Sequence, residues 1–201
     1  MQDNSIIVDR SVVPNRLVFS DVFNVAVPFI DRHLTEGRAD KPAIRTTDIV
    51  WSYADLAASV NRAGKHLLSL GLRPGDRLLM VVRDCPDFIA TFFGAIKAGI
   101  VPVAVNTMLR GADYTFLIGD CEGAGLIYSA AFAETVEAAL GQSDFRPALV
   151  TTVEDFVAGA ATAPADLDAA PTHPMDDCFW LYSSGSTGNP KGVIHPHRSM
   201  V

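Results

Sequence analysis

The sequence predicts an α/β protein with a largely parallel sheet flanked by helices, and three observations predict it. Between residues 43 and 153 short apolar runs alternate with amphipathic stretches of about ten residues or more, the spacing that parallel strands need for their right-handed crossovers. Several of these runs, residues 78–82 and 101–105 among them, are apolar throughout, as strands covered on both faces are. Gly71 and Gly99 stand where two of the amphipathic stretches end, the place where a helix stops in a left-handed residue.

The elements follow in order. Residues 1–21 mix apolar pairs with charges and are broken by Pro14, so an extended leader is expected there. Val25, Val27, Ile30 and Leu34 make a helical stripe with Asn24 as cap, Pro28 in the first turn and Gly37 as the stop. Residues 43–46 and 49–51 read as a hairpin around Thr47 and Asp48. Ser52 and Asp55 form a capping-box pattern that opens the clearest helix, whose apolar face is Tyr53, Leu56, Ala57, Val60, Gly64, Leu67 and Leu68.

After the RPGD turn at 73–76 come a strand at 78–82, a helix at 86–98 with Pro86 near its first turn, and a strand at 101–105. A helix at 113–120, a strand at 126–128, a helix at 131–140 and a strand at 148–153 continue the alternation. The Ala- and Pro-rich stretch 159–174 suits a surface connection. The expected organisation is a leader at 1–23, an α/β subdomain at 24–160, a linker at 161–175, and the start of a further subdomain at 176–201.

Composition excludes several classes. With 49% hydrophobic residues in 201, the chain can bury a core of one or two domains. A net charge of -7 gives no electrostatic reason to bind nucleic acid. Cys85, Cys121 and Cys178 are odd in number and show no CxxC spacing, so they read as reduced structural thiols, and no residue is assigned as a metal ligand. The first ten residues lack the apolar core of a secretory signal, and no run is long enough to span a membrane. A cytoplasmic protein is the expectation.

One segment demands a functional account. Residues 179–197 read FWLYSSGSTGNPKGVIHPH, two apolar strands separated by Ser183, Ser184, Gly185, Ser186, Thr187, Gly188, Asn189, Pro190, Lys191 and Gly192. The glycines let the backbone approach a ligand, the hydroxyls donate hydrogen bonds, and Lys191 brings a mobile cation. Together they suit a polyphosphate. A plain Gly/Ser linker has no reason to sit between two apolar strands with Pro-Lys-Gly at its exit. The Walker P-loop has the form GxxxxGK[ST] and runs into a helix, whereas Pro190 and Pro196 oppose a helix here.

Tyr182 to Val193, YSSGSTGNPKGV, resembles the signature loop of the acyl-adenylate-forming superfamily, which contains acyl- and aryl-CoA synthetases, luciferase and peptide-synthetase adenylation domains. Ser183 stands where the family usually has Thr, one hydroxyl for another. IVWSYADLAASVNRAGKHLLSLGLRPGDRLLMVVRD and FFGAIKAGIVPVAVNTML resemble the superfamily's amino-terminal domain, in order and place. GIVPVAVNTML at 99–109 with FWLYSSGSTG at 179–188 is most similar to the benzoate-CoA ligase group.

The resemblance implies ATP-dependent activation of an aromatic carboxylate, benzoate in the first instance, to an acyl-adenylate and then to its CoA thioester. ATP, Mg²⁺ and coenzyme A are the implied cofactors, and a homodimer is a further expectation. Ser183, Ser184, Ser186 and Thr187 would contact the phosphates, Gly185 and Gly188 would shape the backbone, and Lys191 would act catalytically on the departing pyrophosphate. Tyr182 is expected in the core, and His195 and His197 in structural or solvent-exposed roles. The ending at His-Arg-Ser-Met-Val reads as an amino-terminal portion that is inactive alone. Two other readings stay open: an adenylating enzyme for another acid that passes the acyl group to a carrier-protein thiol, and a stand-alone nucleotide-binding module.

Overall fold

The computed structural model describes residues 2–183 and 189–201. At the amino end β1 (Ile6–Asp9) and β2 (Arg16–Phe19) pair antiparallel, so the leader is extended and folded back on itself as a hairpin. A π-helical turn, Val27–Asp31, runs into the short helix α1 (Arg32–Thr35). Asn24 does not cap this helix. It is fully buried, and its Nδ2 donates to the carbonyls of Ile96 at 2.9 Å and Ala170 at 3.4 Å. A buried amide must place its polar atoms on partners: the carbonyls that Nδ2 finds are 72 and 146 residues away, while Oδ1 accepts locally from the Ala26 N–H at 3.1 Å.

The hairpin β3 (Pro42–Arg45) and β4 (Val50–Ser52) follows as expected. Helix α2 (Tyr53–Ser69) opens on the full capping box: Ser52 Oγ accepts from the Asp55 N–H at 3.1 Å, and Asp55 Oδ2 accepts from the Ser52 N–H at 2.9 Å. Just beyond it Gly71 takes φ +97°, a conformation that costs glycine nothing and any other residue strain.

The remaining elements build the main sheet: β5 (Arg77–Val81), α3 (Pro86–Lys97), β6 (Val101–Ala104), α4 (Gly111–Cys121), β7 (Gly125–Tyr128), α5 (Ala133–Gln142), β8 (Leu149–Thr152), α6 (Val153–Ala160), β9 (Asp177–Ser183) and β10 (Lys191–Pro196). The strand order is β10-β9-β6-β5-β7-β8, parallel throughout except for β10, which runs antiparallel to β9. Along β5 the side chains divide with period two. Leu78 and Met80 join Leu67, Ala95 and Phe156 under α2, α3 and α6, while Leu79 and Val81 join Tyr114, Leu117 and Val136 under α4 and α5.

Helices α2 and α3 cross at Gly64 and Gly94 in close backbone contact. A Cβ on Gly94 would lie 2.8 Å from both the Ala63 Cβ and the Val60 carbonyl oxygen. Lys97, at the end of α3, is buried with its ammonium shared between Asp31 and Asn61, each at 2.7 Å. Its charge is matched and its donors are placed, as a buried cation requires.

Helix α6 was not expected. The run expected as a strand at 148–153 is β8 (Leu149–Thr152), and its last residue caps a helix that follows without a loop, Thr152 Oγ1 accepting from the Asp155 N–H at 3.1 Å. The connection after it lies along α2 and α3. Asn61 Nδ2 donates to Ala165 O at 2.8 Å, the Ala170 N–H donates to Lys97 O at 2.8 Å, and the Phe23 N–H donates to Thr172 O at 2.7 Å.

Candidate functional site

Strand β9 earns its place in the sheet by alternation. Trp180 and Tyr182 face the cluster of α4 and α5, while Phe179 packs toward Phe92 of α3 with ring centroids 5.7 Å apart. It runs parallel to β6, with Val103 opposite Trp180 and Ala104 opposite Leu181. The carboxyl ends of β5, β6, β7 and β9 therefore share one edge of the sheet, the edge at which open α/β folds receive their ligands.

At this edge β9 ends on Ser183 and β10 begins on Lys191, and the two residues are register partners. The chain leaves the sheet at Ser183 and re-enters it directly opposite. Of the residues assigned from sequence, Ser183 and Lys191 are brought together here, both exposed. Ser184, Gly185, Ser186, Thr187 and Gly188 lie outside the described residues. A hydroxyl and an ammonium at the mouth of one hairpin form a donor set for an anion.

The arms of the hairpin are fixed by contacts that no local pattern announced. The Tyr182 hydroxyl donates to Asp120 Oδ2 at 2.6 Å, and burial together with that carboxylate holds the phenol well above its usual range. Its ring lies over Gly192, the register partner across the ladder, where a Cβ would come 3.4 Å from Tyr182 Cζ. The Arg77 guanidinium covers Trp180 at 5.1 Å from the ring centroid. Arg83 and Ser129 follow β5 and β7 at the same edge, tied to each other by a 3.0 Å bond from the Arg83 N–H to Ser129 Oγ; sequence reading singled out neither.

The histidines have structural partners. His195 stacks parallel on Phe179 with centroids 4.6 Å apart. His197 is 1% exposed, its Nδ1 accepts from the Val25 N–H at 3.1 Å, and burial pushes its pKa down to about 4 against a weaker opposing pull from Asp176. It is neutral near pH 7 and sews the end of the chain to the segment before α1. All three cysteines are free thiols, and burial raises Cys121 to about 11 and Cys178 higher still. Among the described residues, no group of three or more His, Cys, Asp and Glu is placed to hold a metal ion, and no helix is long and apolar enough to cross a membrane.

Comparison with known proteins gives a consistent result. The sequence profile of a family described as AMP-binding enzyme matches residues 31–201. The benzoate-CoA ligase of Thauera aromatica is 39% identical over 200 residues, covering 97% of this chain and 38% of that protein. The 4-hydroxybenzoate-CoA/benzoate-CoA ligase of Rhodopseudomonas palustris is 38% identical over 189 residues, 88% of this chain and 34% of that protein. The crystal structure of the anthranilate CoA ligase AuaEII in complex with anthranoyl-AMP superposes with a TM-score of 0.82 at 28% identity, covering 90% of this chain and 36% of that one. The chain thus spans little more than a third of the length of these relatives.

Proposed function

We propose that this chain, which belongs to the AMP-binding enzyme family, contributes the phosphate-binding part of an acid-CoA ligase that activates an aromatic carboxylate, benzoate or a close aryl acid. The observation that carries the reading is the pairing of Ser183 with Lys191 at the carboxyl edge of a parallel sheet. The seven residues between them are rich in hydroxyls and glycine. Similarity to ligases whose names specify benzoate, hydroxybenzoate and anthranilate supports the aryl acid.

A carboxylate cannot lose oxide, so it is a poor acyl donor. In the first half-reaction its oxygen attacks the α-phosphorus of ATP, a new P–O bond forms, and the bond to the pyrophosphate oxygen breaks. Negative charge grows on the departing pyrophosphate, and donors already aimed at it stabilise that charge more than mobile water does. In this reading Lys191 supplies the cation, and Ser183 with Ser184, Ser186 and Thr187 supplies hydroxyl and N–H donors, while Gly185 and Gly188 leave room for the phosphates. Mg²⁺ enters with the nucleotide as a partner of its phosphates. In the second half-reaction the CoA thiol attacks the acyl carbon and AMP leaves, giving the thioester.

Tyr182, Trp180 and Asp120 do not touch the reacting atoms in this account. They fix β9 against α4 and β5, and the ladder of β9 with β10 sets Lys191 opposite Ser183. Positioning of this kind supplies a large share of the rate of a phosphoryl-transfer site.

The experiment is acid-dependent ATP–pyrophosphate exchange by the full-length protein that carries these residues, run with benzoate, hydroxybenzoates and a fatty acid, followed by thioester formation with CoA. Exchange with aryl acids and a thioester product are expected; the 201 residues alone should catalyse neither. Exchange with no acid would overturn the ligase reading, and transfer only to a carrier-protein thiol would overturn the CoA step.

A further inference from the structure

The short helix α1 and the start of α2 are joined through one imidazole. The His33 ring lies flat on the Tyr53 ring, with centroids 3.8 Å apart and planes 16° from parallel, and its Nδ1 accepts a 2.8 Å hydrogen bond from Arg38 Nε. A guanidinium has protons to give and no lone pair to offer. The bond therefore fixes the charge of the ring as well as its place: Nδ1 must present its lone pair, so His33 is neutral with its proton on Nε2.

What Arg38 holds gives that bond its reach. The Arg38 N–H donates to His33 O at 2.9 Å, and its guanidinium also pairs with Glu36. Gly37, between the two partners of that pair, takes φ +72° where an added Cβ would meet nothing within 4 Å, a position free to act as a hinge. Beyond Arg38 the chain lays two carbonyls on the first turn of α2. The Ala54 N–H donates to Ala39 O and the Tyr53 N–H donates to Lys41 O, each at 3.0 Å. The opening amides of a helix have no partner within it, and the Ser52 hydroxyl serves that of Asp55. Residues 39 and 41 serve the two before it, and Arg38 ties them to His33.

We propose that His33 and Arg38 form a pH-sensitive latch: protonation of His33 at Nδ1 turns the acceptor into a donor, expels the Arg38 side chain, and frees residues 36–41 from the start of α2. The inference is independent of the ligase reading and uses none of the residues assigned to phosphate binding. The charged and titratable groups that face the ring are Arg32 and Glu36 beside it on the chain, Arg38 of the connection and Tyr53 of α2. Burial first, then Arg38 and Arg32, hold the ring below the ordinary histidine value of 6.5, against weaker pulls from Glu36 and the Phe29 carbonyl. The latch is thus complete above about pH 6.5 and is lost as pH falls through the lower value of the closed form.

Amide hydrogen exchange followed by NMR from about pH 5 to pH 7.5, corrected for intrinsic rates, tests it, with the ring nitrogen shifts of His33 recorded alongside. Protection of the Tyr53 and Ala54 amides should fall about three- to tenfold as His33 titrates. His33→Gln offers Arg38 a carbonyl oxygen and takes up no proton, so its protection should stay flat through the same range. Arg38→Met removes the donor and its charge, so protection should be low throughout and the His33 titration should move up toward the ordinary value. Neutral His33 with its proton on Nδ1 would overturn the latch. So would Tyr53 and Ala54 amides that keep their protection while His33 titrates, or a His33→Gln variant that loses protection with pH as the parent does.

Discussion

The Tyr182 hydroxyl donates a 2.6 Å hydrogen bond to Asp120, joining the strand that leads into the glycine- and serine-rich loop to the end of α4, 62 residues earlier in the chain. The bond closes over Gly192, whose missing side chain leaves space for the tyrosine ring. Tyr182→Phe should lower stability by about 1 kcal/mol, the net worth of a partly exposed hydrogen bond to an acid. Denaturant unfolding checks it, and Asp120→Asn added to Tyr182→Phe should cost little more than Tyr182→Phe alone.

His197 makes stability depend on pH in a defined window. Its folded pKa is lowered to about 4 from the ordinary histidine value of 6.5, with burial as the chief cause. Between these values the unfolded chain takes up a proton that the folded chain refuses, so stability is fully present above about pH 6.5 and is lost as pH falls toward 4. The contribution is roughly 3 kcal/mol across the window. His197→Asn can still offer an acceptor to Val25. Unfolding curves from pH 4 to 7 should then show a shallower slope for the variant, and an unchanged slope would assign the pH dependence to other groups.

Gly94 and Gly141 make opposite predictions from the same substitution. A methyl on Gly94 would meet the Val60 carbonyl and the Gly64 nitrogen at 2.8 and 2.9 Å, backbone atoms that cannot turn aside. Gly94→Ala should destabilise by about 2 to 3 kcal/mol. Gly141, near the end of α5, would place a methyl with nothing inside 4 Å, so Gly141→Ala should stabilise by about 0.5 to 1 kcal/mol. Thermal melts of the two variants decide between a crossing set by close contact and one with slack.

What the sequence made legible is local, and what it hid is long-range. Ser52 with Asp55, Pro86, Gly71 and Gly99 carry their structural meaning within four residues, and α2 and α3 were read from them. The β-branched run before Val153 is the strand it reads as, β8, and what the sequence reading omits is the helix that follows it at once. Its T-x-x-D signal, Thr152 with Asp155, was present and outweighed. Asn24 looked like a cap because a cap is the local use of asparagine. Its Oδ1 does bond locally, to the Ala26 N–H, but the Nδ2 partners at Ile96 and Ala170 come near only once the sheet has formed. The same holds for the site. The loop composition pointed to Ser183 and Lys191, but nothing near Tyr182 announces Asp120, and nothing near His197 announces Val25.

The most direct measurement of the proposed function is Lys191→Ala in the full-length protein that carries these residues, with the two proposed half-reactions assayed separately. If the ammonium stabilises pyrophosphate as it departs, the interaction strengthens toward the transition state. Adenylation should then lose about 10²- to 10³-fold in kcat, with a smaller rise in the KM for ATP. Thioester formation from supplied benzoyl-adenylate and CoA bypasses the phosphate chemistry and should stay within a few-fold of the parent. An equal loss in both half-reactions by a folded variant would contradict the assignment of Lys191 and its loop to the adenylation step.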